Sequence, residues 1–340
     1  MILYDPSVTV NYHDYGIMLP IAPDRGKRVL EYLDGAFPAL DFAAAQSLLR
    51  EPDCLLTRKD LERIHSRKYI DELYGEGLEA ALLKTFELID ARGNPFRYEP
   101  DRAVKPLSDL FEKLKAQAGG TYLACLLALA DTSGFCYYLG GGMHHARYDS
   151  GSGFCLINDV TAAAFKLIAA DKARLIWIID MDAHKGDGTA ELVQFARKRG
   201  IHGVLTLSIH MKNGWPLDKD SLASAEKDRA PLINSDIDIG IDSGGEDEYT
   251  PRLAEGIKRL ESISRKPDFI IVVDGADPYE HDGLASSRLL RLTLDQCIER
   301  DNHVYRYLQD RKIKSAWIQS GGYGARAWEP SAYFLKSISV

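Results

Sequence analysis

The sequence predicts an α/β fold in a single domain, a mainly parallel sheet with helices on both faces. Three observations carry this. Short apolar runs recur at 134–138, 175–179, 203–209, 237–241, 269–273 and 316–319. Stretches with helical periodicity, at 108–131, 159–171, 187–199, 246–264 and 289–309, precede and separate them. The strand runs are mostly apolar throughout, as in strands covered on both sides. Ser108 is the expected N-cap of the first helix. Residues 1–107 read as a helical and loop section integrated into the same domain, because no Ser-, Pro- or Gly-rich linker divides residues 1–340 and no internal repeat is evident.

Composition narrows the function classes. A hydrophobic content of 45% over 340 residues is ample for a core, and a formal net charge of -8 argues against a nucleic-acid partner. No apolar run is long enough to span a bilayer, and the N-terminus lacks the basic and apolar regions of a signal peptide. Cys54, Cys125, Cys136, Cys155 and Cys297 are odd in number and form no C-x-x-C. They read as reduced thiols packed in the core of a cytoplasmic protein.

In open parallel sheets the site lies beyond the carboxyl ends of the strands. The run 134–138 leads into Gly140-Gly141-Gly142-Met143-His144-His145, and 175–179 leads into Asp180-Met181-Asp182-Ala183-His184-Lys185-Gly186-Asp187-Gly188. The run 269–273 leads into Asp274-Gly275-Ala276-Asp277-Pro278, and 316–319 leads into Ser320-Gly321-Gly322-Tyr323-Gly324. Asp182 and His184, two residues apart on extended backbone, share a face. With Asp277 they offer three oxygen and nitrogen ligands and leave a position open, the pattern of a catalytic zinc site. A polar loop capping the next helix is the plain alternative for the Asp/His run, and Asp-Pro is a common turn starter. His144 and His145 point apart on extended backbone, but a glycine-distorted turn brings both to one pocket. Asp180 and Asp187 are free to accept hydrogen bonds from that pair, leaving one neutral histidine as a general base. A phenol at Tyr323 offers a donor to a developing oxyanion, with an ordinary turn aromatic as the alternative. Together these parts describe metal-assisted hydrolysis of a carbonyl compound.

These segments, together with Gly151-Ser152-Gly153-Phe154-Cys155-Leu156-Ile157-Asn158-Asp159 and, more weakly, Ile64-His65-Ser66 with Tyr69-Ile70, resemble the zinc-dependent histone deacetylase family in order and spacing from about 134 to 324. The resemblance is nearest to its class IV branch and to bacterial members. It implies the arginase/deacetylase fold, with Asp182, His184 and Asp277 as zinc ligands and iron(II) as an alternative native metal. It implies His145 paired with Asp187 as the main base, His144 paired with Asp180 as its electrostatic partner, and Tyr323 as the phenol that polarises the carbonyl. Phe154 with Gly153 would line one wall of the acyl channel and Trp215 the other, with Leu284 alongside. A structural potassium ion would be held by Asp180, Asp182, His184, Ser208 and Ile209, partly through carbonyl oxygens. The substrate implied is an acylated lysine in a peptide or protein, or a small acylated amine. Oligomeric state stays open.

Departures sharpen the expectation. Lys185 stands where many members carry a histidine, and a surface position without a role is expected for it. Leu284, seven residues after Asp277, stands where polyamine-selective members carry a glutamate, which weakens an acetylpolyamine reading. The positions that would supply a second metal in a ureohydrolase are Gly186 and Gly275, so one metal is expected. An inactive acyl-lysine reader would lack one of the ligands, the histidine pair or the tyrosine, and all are present.

Overall fold

In the computed structural model, which describes residues 1–50, 55–90, 92–218 and 231–339, the apolar runs form one eight-stranded sheet with every pairing parallel. The strands are β1 (Ile2–Leu3), β2 (Ala39–Leu40), β3 (Phe135–Tyr138), β4 (Ile176–Asp180), β5 (Val204–Met211), β6 (Ile237–Ile241), β7 (Phe269–Asp274) and β8 (Lys314–Gln319). Their spatial order is β2-β1-β3-β8-β7-β4-β5-β6. The chain crosses from β3 over to β4, builds outward to β6, and returns to fill the gap with β7 and β8. The crevice that binds ligands in such sheets therefore lies over the ends of β4, β7 and β8.

Strand periodicity divides the core in two. Ile176, Ile178, Phe269, Ile271, Val273, Ala316 and Ile318 face one hydrophobic layer. Trp177, Ile179, Ile270, Val272 and Trp317 face the other. Alternate residues thus bury in opposite directions, which is why these strands are apolar throughout. The Leu110–Ala130 and Asp159–Ala169 helices cover the first face, and the Tyr249–Ile263 and Leu294–Asp310 helices cover the second.

Four expectations need correction. Residues 1–107 are more than helix and loop, because β1 and β2 extend the sheet from this section. Ser108 is not an N-cap: it sits within a 3-10 turn, Leu107–Asp109, that runs into the helix, and Asp109 at the cap position makes no side-chain cap bond. The helix expected at 289–309 begins only at Leu294, where Thr293 and Gln296 form a reciprocal capping box. Lys185 is not at the surface. It is 1% exposed, donates to Asn234 Oδ1 at 2.9 Å and pairs with Asp238. Cys125, Cys136, Cys155 and Cys297 are free and buried as expected, and Cys54 lies outside the described residues. Among the described residues no helix is long and apolar enough to cross a membrane.

Candidate active site

Because all the strands run the same way, the loops after β3, β4, β7 and β8 emerge at one edge. β4 and β7 are neighbours, with Asp180 opposite Val273. Asp182 and His184 leave the end of the first and Asp277 the end of the second. His184 Nδ1 lies 2.8 Å from Asp277 Oδ2 and 3.2 Å from Asp182 Oδ1. One ligand atom from each of the three residues falls within 4.8 Å of the others, and all three side chains are buried. Burial, then the Asp182 charge, pushes the Asp277 carboxyl up to about 6. Two carboxylates held together away from water are costly without a cation. The nitrogen and oxygen donors, their spacing and their burial fit a divalent ion such as zinc.

Glycines make this convergence possible. A Cβ on Gly186 would stand 2.3 Å from Asp180 Oδ2, and one on Gly275 would stand 2.6 Å from the Asp182 Cα. Where a two-metal site would need further carboxylates, there is no room for any side chain.

The turn after β3 brings both histidines to the same pocket, with ring centroids 3.9 Å apart. Asp159, at the start of its helix, shapes this turn by accepting from the Gly142 and Met143 N–H groups at 2.9 and 2.7 Å. His144 Nδ1 donates to Asp180 Oδ2 at 2.7 Å, and His145 Nδ1 donates to Asp187 Oδ1 at 2.8 Å. Burial opposes charge on His144, but Asp180 and Asp182 outweigh it and hold its pKa at about 9. Burial, reinforced by the His144 charge, holds His145 down at about 4 despite Asp187. Without a cation on Asp182 and Asp277, a proton is thereby favoured on the first ring over the second.

Tyr323 borders the same pocket. Its N–H donates to Asp282 Oδ2 at 2.7 Å, and its carbonyl accepts from the Gly283 N–H at 2.9 Å. The half-buried Arg25 donates to the carbonyls of Ser320, Gly321 and Gly322 at 2.9, 3.3 and 3.2 Å, gathering the loop just before Tyr323. This pocket, of about 130 Å³, extends from His144, His145, Asp182 and His184 to Tyr12 and Leu139. A second, of about 80 Å³, shares His145, Gly153, Phe154, His184 and Tyr323 with it and adds Trp215, Leu284, Ser286, Glu87 and Arg97. Phe154 is held at φ 65°, a left-handed conformation that costs about 1–3 kcal/mol for a residue with a side chain. Trp215 meets His145 edge to face at 4.5 Å.

Asp182, His184 and Asp277 thus lie together, and His144, His145, Gly153, Phe154, Trp215, Leu284 and Tyr323 line the adjoining pockets. Asp180 and Ser208 sit opposite each other where β4 ends, while β5 runs on to Met211, and Ser208 Oγ accepts from the Gly186 N–H at 3.2 Å. Ile209 follows on β5. His65, from the weaker motif, is instead a buried structural pin: Nδ1 donates to the Arg147 carbonyl at 2.7 Å and Nε2 accepts from the Asn158 N–H at 3.1 Å. Sequence reasoning missed Arg25, Asp159, Asp282 and Ser286. Ser286 Oγ stands 3.1 Å from His184 Nε2. Asp159 carried a signal as the end of the motif over 151–159, and Asp282 carried one as a further carboxylate in the loop after β7.

A histone deacetylase domain is matched over residues 19–335, nearly the whole chain. The chain belongs to the histone deacetylase family. It is 24% identical over 323 residues to histone deacetylase 2 of Arabidopsis thaliana, covering 95% of this chain and 74% of that protein. It is 32% identical over 210 residues to the acetoin utilization protein AcuC of Staphylococcus aureus, covering 62% of this chain and 51% of that one. The chain thus spans only about half the length of some of the curated relatives it matches. Among solved structures it is similar to an acetylpolyamine aminohydrolase from Burkholderia pseudomallei, with a TM-score of 0.67, 18% identity and coverage of 98% and 97% of the two chains. That likeness shows the arginase/deacetylase fold. Family membership supports a hydrolytic deacetylase as the class of activity.

Proposed function

We propose that this protein is a zinc-dependent deacylase that removes an acyl group, acetyl foremost, from a lysine side chain or a related amine. The observation that carries the reading is the convergence of Asp182, His184 and Asp277 with two His–Asp pairs and Tyr323 around one buried pocket.

Asp182, His184 and Asp277 would hold the ion, which supplies a Lewis acid for the acyl carbonyl. His145, neutral and oriented by Asp187, takes a proton from the attacking water at Nε2. His144, cationic beside Asp180, steadies negative charge as it develops. The Tyr323 phenol donates to the oxyanion. The proton held by the histidine pair then passes to the departing amine. Phe154 and Trp215 shelter the apolar part of the substrate. Asp180, Asp182, His184, Ser208 and Ile209 would hold a structural potassium ion between the end of β4 and the neighbouring part of β5, and we read the enzyme as cytoplasmic.

Leu284, buried in the channel wall, favours acyl-lysine over acylated polyamines, because it offers no charge to a second ammonium. Turnover of an acetyl-lysine peptide, with and without chelator, tests the reading. Chelator-sensitive hydrolysis is expected, and metal-loaded protein that does not hydrolyse, or does so regardless of chelator, overturns it. Acyl-lysine and acetylpolyamine panels run side by side separate the two substrate classes.

A further inference from the structure

A charged network lies behind the metal ligands, away from the pocket, and no step above uses it. Arg300, in the Leu294–Asp310 helix, is 0% exposed. Its Nη1 donates to the Met181 carbonyl at 3.1 Å and to the Gly275 carbonyl at 3.0 Å. Its Nη2 donates to Asp274 Oδ1 at 2.6 Å, and its Nε to Asp301 Oδ1 at 2.6 Å. Asp274 is itself fixed by the Tyr137 hydroxyl, which donates to Oδ2 at 2.6 Å.

The two carbonyls matter because of where they stand. Met181 immediately precedes Asp182, and Gly275 precedes Asp277 by two residues. Both lie just past the last paired residues of β4 and β7, Asp180 and Asp274, where a backbone bond from the Met181 N–H to the Val273 carbonyl at 2.9 Å closes the ladder. A buried carbonyl without a donor is costly. Here one guanidinium nitrogen, Nη1, serves both carbonyls, with the Tyr249 hydroxyl adding a longer contact of 3.3 Å to that of Met181, and the rigid guanidinium plane fixes the directions of the two Nη1 N–H groups. Asp274 and Asp301 hold the fork in place and balance its charge.

We propose that Arg300 is a positioning residue for the metal centre: by donating to Met181 and Gly275 at once, it sets the separation of the two loops that carry Asp182 and Asp277. The inference rests on the metal-site reading above. A lysine has one nitrogen with freely rotating N–H groups, so it cannot serve these carbonyls and also keep the Asp274 and Asp301 anchors that fix the direction of the donors.

The test is the zinc dissociation constant, measured by competition with a chromophoric chelator, beside the melting temperature of the metal-free protein. Arg300→Lys is expected to weaken zinc binding about 10–100-fold, the usual effect of losing a group that orients metal ligands. Leu253→Ala, a core truncation in the Tyr249–Ile263 helix, serves as the control, expected to lower the melting temperature with zinc affinity unchanged. If Arg300→Lys lowers the melting temperature and leaves the zinc affinity at the wild-type value, its role is structural only and the proposal is overturned. Should Arg300→Lys not fold, Asp274→Asn decides, because it loosens the Nη2 anchor. Zinc affinity reduced about threefold or more supports the clamp, and unchanged affinity overturns it. Failure of the wild-type protein to bind zinc at all would instead defeat the metal reading.

Discussion

The imidazole rings of His144 and His145 lie 3.9 Å apart between centroids, yet their surroundings drive them to opposite charge states. Asp180 and Asp182 face the first ring, whereas the second has one carboxylate and a cationic neighbour. Two adjacent residues of one type thereby acquire different chemistry, since a proton on one discourages a proton on the other.

In the proposed mechanism that asymmetry assigns the base to His145. His145→Ala is expected to cut kcat about 10²–10⁴-fold, the usual worth of a general base, and His144→Ala to cut it by less. Asp187→Asn should also slow turnover, because it disturbs the tautomer that leaves Nε2 free to accept a proton. Steady-state kinetics on an acetyl-lysine peptide check this, and wild-type turnover by His145→Ala would remove it from the mechanism.

Tyr323 is held by its backbone, through Asp282 and Gly283, so its hydroxyl can be deleted without loosening the loop. Tyr323→Phe should lower kcat about 10²–10³-fold, as loss of an oxyanion donor does. Circular dichroism should show the fold intact, and an unchanged kcat would exclude the phenol from the reaction.

The ligand set predicts how metal content responds to substitution. Asp277→Ala removes one of three donors and should leave the purified protein short of metal. Gly275→Ala should do the same without replacing a ligand, because its Cβ would press on the Asp182 Cα at 2.6 Å and on Asp182 Oδ2 and Asp277 Oδ1 at 2.7 and 2.9 Å. Elemental analysis of both variants decides the matter, and full occupancy in Asp277→Ala would refute its role as a ligand.

The residues proposed as ligands and the histidine pair were legible in the sequence because they follow apolar strands directly, where ionisable residues have no reason to be unless used. The residues that hold them were not. Arg300 lies in a helix rich in charged residues, and nothing in its spacing separates it from neighbours that face solvent. Arg25 lies nearly 300 residues from the carbonyls it gathers. Lys185 looked like a surface cation because its partners, Asn234 and Asp238, come from another strand region. β1 and β2, two residues each, are too short to show any period. Thr293-x-x-Gln296 was a readable start signal, masked by the apolar pair Leu289-Leu290 ahead of it.

His65 gives a prediction about stability rather than catalysis. Burial holds its pKa down to about 4 against an ordinary 6.5. Its Nε2 accepts the Asn158 N–H, a bond that protonation abolishes. The folded-state pKa lies below the unfolded one, so between about pH 6.5 and 4 the unfolded chain binds more protons. The stability contributed by neutral His65 is therefore fully present above about pH 6.5 and is lost as pH falls toward 4, by an amount of order 3 kcal/mol. His65→Gln keeps a neutral donor and acceptor but cannot titrate. Urea unfolding across this window should show a steeper loss of stability in the wild type than in His65→Gln. Parallel curves would mean that His65 does not contribute to the acid sensitivity of the fold.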